Sequence, residues 1–168
     1  ALRRLEYRGY DSAGVATIEH GQLDRRRAEG KLRNLEVRLS NQPLQGTTGI
    51  GHTRWATHGR PVERNAHPHM NDKVAVVHNG IIENYTQLKR ELSKKGYEFS
   101  SDTDTEVLLN FIEDIRINNE CPLEEAVRIA LKRVVGAYVI VLLDEDTPDT
   151  LIVARKGRLR SSLTRRTI

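Results

Sequence analysis

Cysteine is nearly absent: the 168 residues hold one, Cys121. That excludes a disulfide framework within the chain and fits a reducing compartment. Aromatic residues are also scarce, at 5%, with a single Trp. No apolar run approaches the roughly 20 residues of a membrane-spanning helix. The opening Ala1-Leu-Arg-Arg-Leu-Glu6 has no apolar stretch behind its charges and does not read as a signal peptide. A cytoplasmic protein without a membrane partner is the expectation. Acidic residues are missing from positions 155–168, which carry six basic ones. Removing those six from the 27 Lys and Arg leaves 21 against 23 acids, a net of −2, so the formal +4 resides in the tail. A basic tail suits nucleic acid. No aromatic interleaves with it, however, and the body adds no basic motif, so nucleic acid is not an expected partner.

What is present suits one globular domain. Hydrophobic residues make up 38% and charged residues 30%, and this length buries a sizeable core. Alternation and helical spacing mark the elements. Residues 1–7 read as the end of a helix, 14–20 as a strand, and Gly21-Gln22 as a turn into a second strand. Positions 31–40 place Leu32, Leu35 and Leu39 at helical spacing. Residues 47–53 form a Gly- and Thr-rich strand, and 73–77 a short apolar strand ending at His78-Asn79-Gly80. A helix over 84–95 stops at Gly96. Capping side chains in 101–106 precede a helix over 107–117. Another helix spans 122–134, with strands at 137–143 and 150–155. Strands joined by turns and helices in consecutive pairs predict antiparallel sheet with helices layered on it, an α+β class.

Chemistry concentrates in His52-Thr-Arg-Trp-Ala-Thr-His-Gly59, Asn65-Ala-His-Pro-His69 and His78-Asn-Gly80. Five of the six histidines and the only Trp fall within residues 52–80. Such density of donors, broken by Gly and Pro, reads as a site, and its Arg54 looks exposed. No nucleophile lies beside it, since Cys121 is distant in sequence and in a helical context. His67-X-His69 is compatible with a metal pair, yet carboxylates nearby are few. Hydrogen bonding and direct substrate contact remain as the other roles for these histidines. The Asn79 amide and the Gly80 N–H can converge as an oxyanion hole. Taken alone, Asn-Gly is more commonly a turn. Arg54 offers a two-pronged grip on a carboxylate, or is simply a surface arginine. Asp104 accepts from an ammonium group, or caps a helix.

Five segments occur in one order: Leu5-Glu-Tyr-Arg-Gly-Tyr-Asp-Ser-Ala-Gly14, His52 to Gly59, Asn65 to His69, His78-Asn-Gly-Ile-Ile-Glu-Asn84 and Ser101-Asp-Thr-Asp-Thr-Glu106. Together they resemble the glutaminase domain of the glutamine–fructose-6-phosphate aminotransferase (isomerizing) family, over residues 1–157. The related glutamine phosphoribosylpyrophosphate amidotransferases typically carry His-Arg-Gly-Gln-Asp and Arg-Tyr-Ser-Thr instead. A fragment of such a relative, or a non-enzymatic glutamine-binding module, is the alternative.

The resemblance implies an N-terminal nucleophile hydrolase fold, a four-layer αββα sandwich of antiparallel sheets. It implies glutamine as substrate and no cofactor or metal. It also implies a separate sugar isomerase domain that binds fructose 6-phosphate and through which the family forms homo-oligomers. The nucleophile would be the thiol of an N-terminal cysteine. Arg54, Thr57, His58, His67 and Asp104 would hold glutamine. Asn79 and Gly80 would form the oxyanion hole, Arg8 would support the site, and Trp55 would sit on the gating loop. Two departures stand out. The family opens with a Cys-Gly-Ile-Val-Gly-type strand, whereas this sequence opens partway along the following helix. Residues 158–168 do not match the apolar strand the family has there. The expectation is a domain incomplete at its first strand, inactive alone, followed by a loosely attached basic tail.

Overall fold

The structure is a computed structural model that describes residues 2–56 and 59–157, with Arg8 described through its backbone only. After a short 3-10 helix over Leu2–Arg8, strands β1 (Ser12–Glu19), β2 (Gln22–Glu29) and β3 (Thr48–Arg54) form an antiparallel sheet in the order β2-β1-β3. Helix α1 (Leu32–Asn41) lies between β2 and β3 in sequence. Strands β4 (His69–Met70), β5 (Val74–Ile82), β6 (Gly136–Asp144) and β7 (Leu151–Lys156) form a second antiparallel sheet in that order. Between β5 and β6 run helices α2 (Tyr85–Lys94), α3 (Asp104–Asn119) and α4 (Leu123–Arg133).

Strand alternation decides which residues meet. Ala13 of β1 and Ala28 of β2 pack with Leu32 and Leu35 of α1. One residue on, Ala16 and Ile18 face the other way and pack with Ile50 of β3, Ala75 and Val77 of β5, and Leu143 of β6. The two sheets therefore lie face to face. The opposite face of β5, with Val74, Val76 and Ile82, packs on α3 and its flanking helices. Strand β5 is apolar on both faces because it is covered on both. Helix α3 buries Val107, Leu108, Leu109, Phe111, Ile112 and Ile115. Its apolar face is wide because α2, α4 and β5 all pack against it. None of the described helices is long and apolar enough to cross a membrane.

The expected antiparallel sheets and helix pairs are present. Three local differences have physical reasons. Strand β5 does not end at Val77 but runs through His78, Asn79 and Gly80 to Ile82, paired throughout with β6. Helix α3 begins at Asp104, with Thr103 as its N-cap: the Thr103 hydroxyl accepts from the Glu106 N–H at 3.3 Å. Strand β4 spans two residues, too few for any alternation to show in the sequence. Residues 158–168, expected to be a loosely attached tail, lie outside the described residues.

Candidate functional site

Period-two alternation builds the site from two strands. On β3, Ile50, His52 and Arg54 point between the sheets and are buried. On β5, His78 shares the helix-facing side with Val76, while Asn79 shares the inter-sheet side with Val77. Asn79 thus meets β3, and the His52 Nε2 lies 2.9 Å from the Asn79 Oδ1. His78 meets the first turn of α3, its Nδ1 lying 3.0 Å from the Thr105 hydroxyl.

The segment between β3 and β4 completes a histidine cluster. His67 lies over His52, with ring centroids 4.5 Å apart, and its Nε2 sits 2.9 Å from the Thr105 hydroxyl. His69 packs edge-on against His67 and reaches the Thr103 hydroxyl at 2.9 Å. Gly14 makes this approach possible, because a Cβ there would lie 2.2 Å from the His67 carbonyl oxygen. Arginines of β2 strap the same segment by its carbonyls: Arg25 donates to Pro68 at 3.0 Å and Arg27 to Ala66 at 2.8 Å.

Burial pushes the His52 imidazole down to about 4. It holds His67 and His69 well below the ordinary histidine range, and neighbouring histidines and arginines act in the same direction. These rings are therefore neutral hydrogen-bonding groups at pH 7. Among the described residues, no group of three or more His, Cys, Asp or Glu is arranged to hold a metal ion.

Arg54 is not exposed, as its sequence context suggests, but 3% accessible. Its Nη1 donates to the Asp11 Oδ1 at 3.2 Å, and more distantly to the Arg60 carbonyl. Asp11 also accepts the Ala56 N–H on its other oxygen, and its own N–H donates to the Arg54 carbonyl at 2.8 Å. One carboxylate thus ties the guanidinium and the start of the following loop to β1. Asp11 is a residue that sequence reasoning quoted in a motif without a role. Its signal, a carboxylate 43 positions before its arginine, is invisible without the fold.

Asp104 is 4% accessible. It does not cap its helix, since its Oδ2 accepts the Ile82 N–H at 2.9 Å. Its Oδ1 lies 3.9 Å from the His78 Nδ1. Gly80 sits on β5 with φ of 129°, and a Cβ there would lie 2.1 Å from the Ala137 carbonyl oxygen. Only glycine fits this position. Trp55, next to Arg54, is 69% accessible and its ring lies against Gly9. Of the expected site residues, Arg54 shares the inter-sheet face of β3 with His52, which touches both His67 and Asn79, while Asp104 binds the Ile82 N–H two residues along β5 from Gly80. Thr57, His58 and the Arg8 side chain lie outside the described residues. Cys121 packs against the helix-side core beyond the far end of α3. A helix of 16 residues is about 24 Å long, so this thiol is remote from Asp104.

Similar proteins are known. The chain is 60% identical over 157 residues to a glutamine–fructose-6-phosphate aminotransferase [isomerizing] of Rhizobium meliloti; the match covers 94% of this chain and 26% of that enzyme. A Brucella suis protein of the same name is 56% identical, with the same coverage. The chain thus spans about a quarter of the length of the curated relatives it matches. Among solved structures, glutamine phosphoribosylpyrophosphate amidotransferase from B. subtilis superposes with a TM-score of 0.76 at 29% identity, covering 92% of this chain and 33% of that one. The fold is accordingly the α+β type of the N-terminal nucleophile glutamine amidotransferases. A family profile described as a glutamine amidotransferase domain matches residues 52–158. With the profile spanning most of the chain and the fold agreeing, this chain belongs to the glutamine amidotransferase domain family.

Proposed function

We propose that these residues are the glutaminase part of a glutamine–fructose-6-phosphate aminotransferase. In that role they hydrolyse glutamine to glutamate and ammonia, for an isomerase domain that uses fructose 6-phosphate and mediates homo-oligomer formation. The observation that carries the reading is the juxtaposition of Asn79 and Gly80 with Asp104 along one open edge of β5. Among the described residues, strand β4 pairs with Ala75 and Val76 alone, and no other strand covers that edge of β5. The Ile82 N–H turns away from β6 to Asp104. Backbone N–H groups two residues apart point to the same side of a strand, so the Gly80 N–H falls on that edge too. An Asn amide and a backbone N–H there suit the developing charge of a tetrahedral intermediate. Asp104 suits the α-ammonium of glutamine. Arg54, about 7 Å along β3 from His52, suits its carboxylate. Thr57, His58 and His67 would line this pocket, Arg8 would support it and Trp55 would gate it.

The fold that accompanies this reading is the four-layer αββα sandwich, in keeping with three apolar clusters stacked from α1 through both sheets to α3. Identity of 60% to an aminotransferase against 29% to a phosphoribosylpyrophosphate amidotransferase favours the former.

The 168 residues hold one thiol, Cys121, too distant to attack a substrate at Asn79. The test is glutamine hydrolysis in two polypeptides. One in which residues 1–157 follow a Cys-Gly-Ile-Val-Gly strand is expected to release glutamate and ammonia. The 168-residue chain itself is expected to release none. Turnover by the latter that Cys121→Ala abolishes would overturn the reading.

A further inference from the structure

The role read for Asn79 requires its carboxamide to present N–H groups rather than oxygen. A terminal amide in a strand has no intrinsic preference between its two orientations. Asn79 is exposed on one side, so packing does not choose between them. The neighbour that can choose is His52, buried between the sheets with Nε2 at 2.9 Å from the Asn79 amide.

Two arrangements satisfy this contact. In one, Nε2–H donates to the Asn79 Oδ1, and Nδ1 carries only a lone pair. In the other, the amide is turned, its N–H donates to a bare Nε2, and the proton sits on Nδ1. The His52 Nδ1 is buried and has no hydrogen-bond partner among the described residues. A buried N–H without an acceptor keeps its full desolvation penalty, whereas an unfilled lone pair costs less. The second arrangement would create that unsatisfied donor. Double protonation is also disfavoured, because His52 stacks on His67 and shares its face with the Arg54 guanidinium.

We propose that His52 is a positioning residue for Asn79: its Nε2–H holds the Asn79 oxygen and turns the carboxamide N–H groups outward along the β5 edge. This rests on the reading of Asn79 as an oxyanion donor and names the group that would make it one. The same reasoning orders the next contact in the cluster. The His67 Nδ1 is likewise buried without a partner among the described residues. Its proton therefore belongs on Nε2, donated to the Thr105 hydroxyl.

The test uses the 168-residue chain, labelled with 15N and 13C, at neutral pH. Long-range proton–nitrogen correlation reads the histidine tautomers directly in the unmutated protein. His52 is expected as the Nε2–H form. The Asn79 side-chain carboxamide signals should shift in His52→Phe and return towards their original position in His52→Gln, whose amide again offers a donor. A His52 ring protonated on Nδ1 would overturn the proposal, without any variant needing to fold. Asn79 signals indifferent to His52→Phe would overturn it as well. Neither readout involves hydrolysis. An active-site failure of Asn79 would instead appear as unchanged turnover in Asn79→Ala, so the two ideas fail separately.

Discussion

The Asp11 carboxylate shows how much of a site can rest on one side chain. It takes the Arg54 guanidinium on one oxygen and the Ala56 N–H on the other, so the arginine and the loop beginning at Trp55 are set together. Asp11→Asn keeps the shape but removes the charge that offsets a buried guanidinium. Breaking such a pair costs about 3–5 kcal/mol, so thermal or urea unfolding should show a large loss of stability. A loss below 1 kcal/mol would mean that other contacts carry Arg54. The histidines act at the same scale through neutrality. His52, pushed down to about 4 by burial, takes up a proton more readily when unfolded, where the ordinary value is near 6.5. Its contribution is therefore fully present above pH 6.5 and declines as pH falls towards 4. That window corresponds to about 3 kcal/mol at roughly 1.4 per pH unit. His67 and His69 add in the same direction. The groups facing them, His78, Arg54, Arg25 and Arg27, oppose protonation further. Urea unfolding at pH 7 and pH 5 should show markedly lower stability at pH 5. Equal stability at the two would mean that the rings are not buried as described.

At the level of elements, much was legible and some was not, for reasons of range. Leu32, Leu35 and Leu39 announce α1, and the apolar run before Asp144 announces β6, because burial follows local periodicity. The Asn79-Gly80 pair misleads, because as a dipeptide it favours a turn while nine register pairs with β6 hold it in a strand. Tertiary pairing overrides a local preference of this size. Arg54 misleads in the opposite sense, looking exposed because its partner lies far upstream. The family motifs, by contrast, named Asn79, Gly80 and Asp104 together; Asp104 accepts the Ile82 N–H, two residues along β5 from Gly80. Glycine positions test the element-level description. Gly14→Ala would drive a methyl against the His67 carbonyl and the Arg27 side chain. Its expected cost is about 1–3 kcal/mol, with the shift of the 66–69 segment visible as altered His67 and His69 signals. A neutral Gly14→Ala would refute the close contact.

Over the whole molecule, the second sheet extends further than the first. Sheet order places β7 at an edge among the described residues. Its Leu151 and Val153 pair with Leu143 and Val141 and so face the inter-sheet side. They remain 49% and 62% accessible. An apolar edge strand invites pairing with another copy, so the 168-residue chain should self-associate with rising concentration. Val153→Lys should reduce that association in light scattering, and an unchanged profile would locate the sticky surface elsewhere. The central claim concerns the site those sheets build, and kinetics separate its parts most directly. In the polypeptide carrying the Cys-Gly-Ile-Val-Gly strand, the measurement is kcat and KM for glutamine hydrolysis in Arg54→Ala and Asn79→Ala. Arg54→Ala should raise KM by the equivalent of about 2–4 kcal/mol. Asn79→Ala should lower kcat by about a hundredfold or more with KM little changed. An Arg54→Ala enzyme with the original KM, or an Asn79→Ala enzyme with the original kcat, would contradict the assignment of the site.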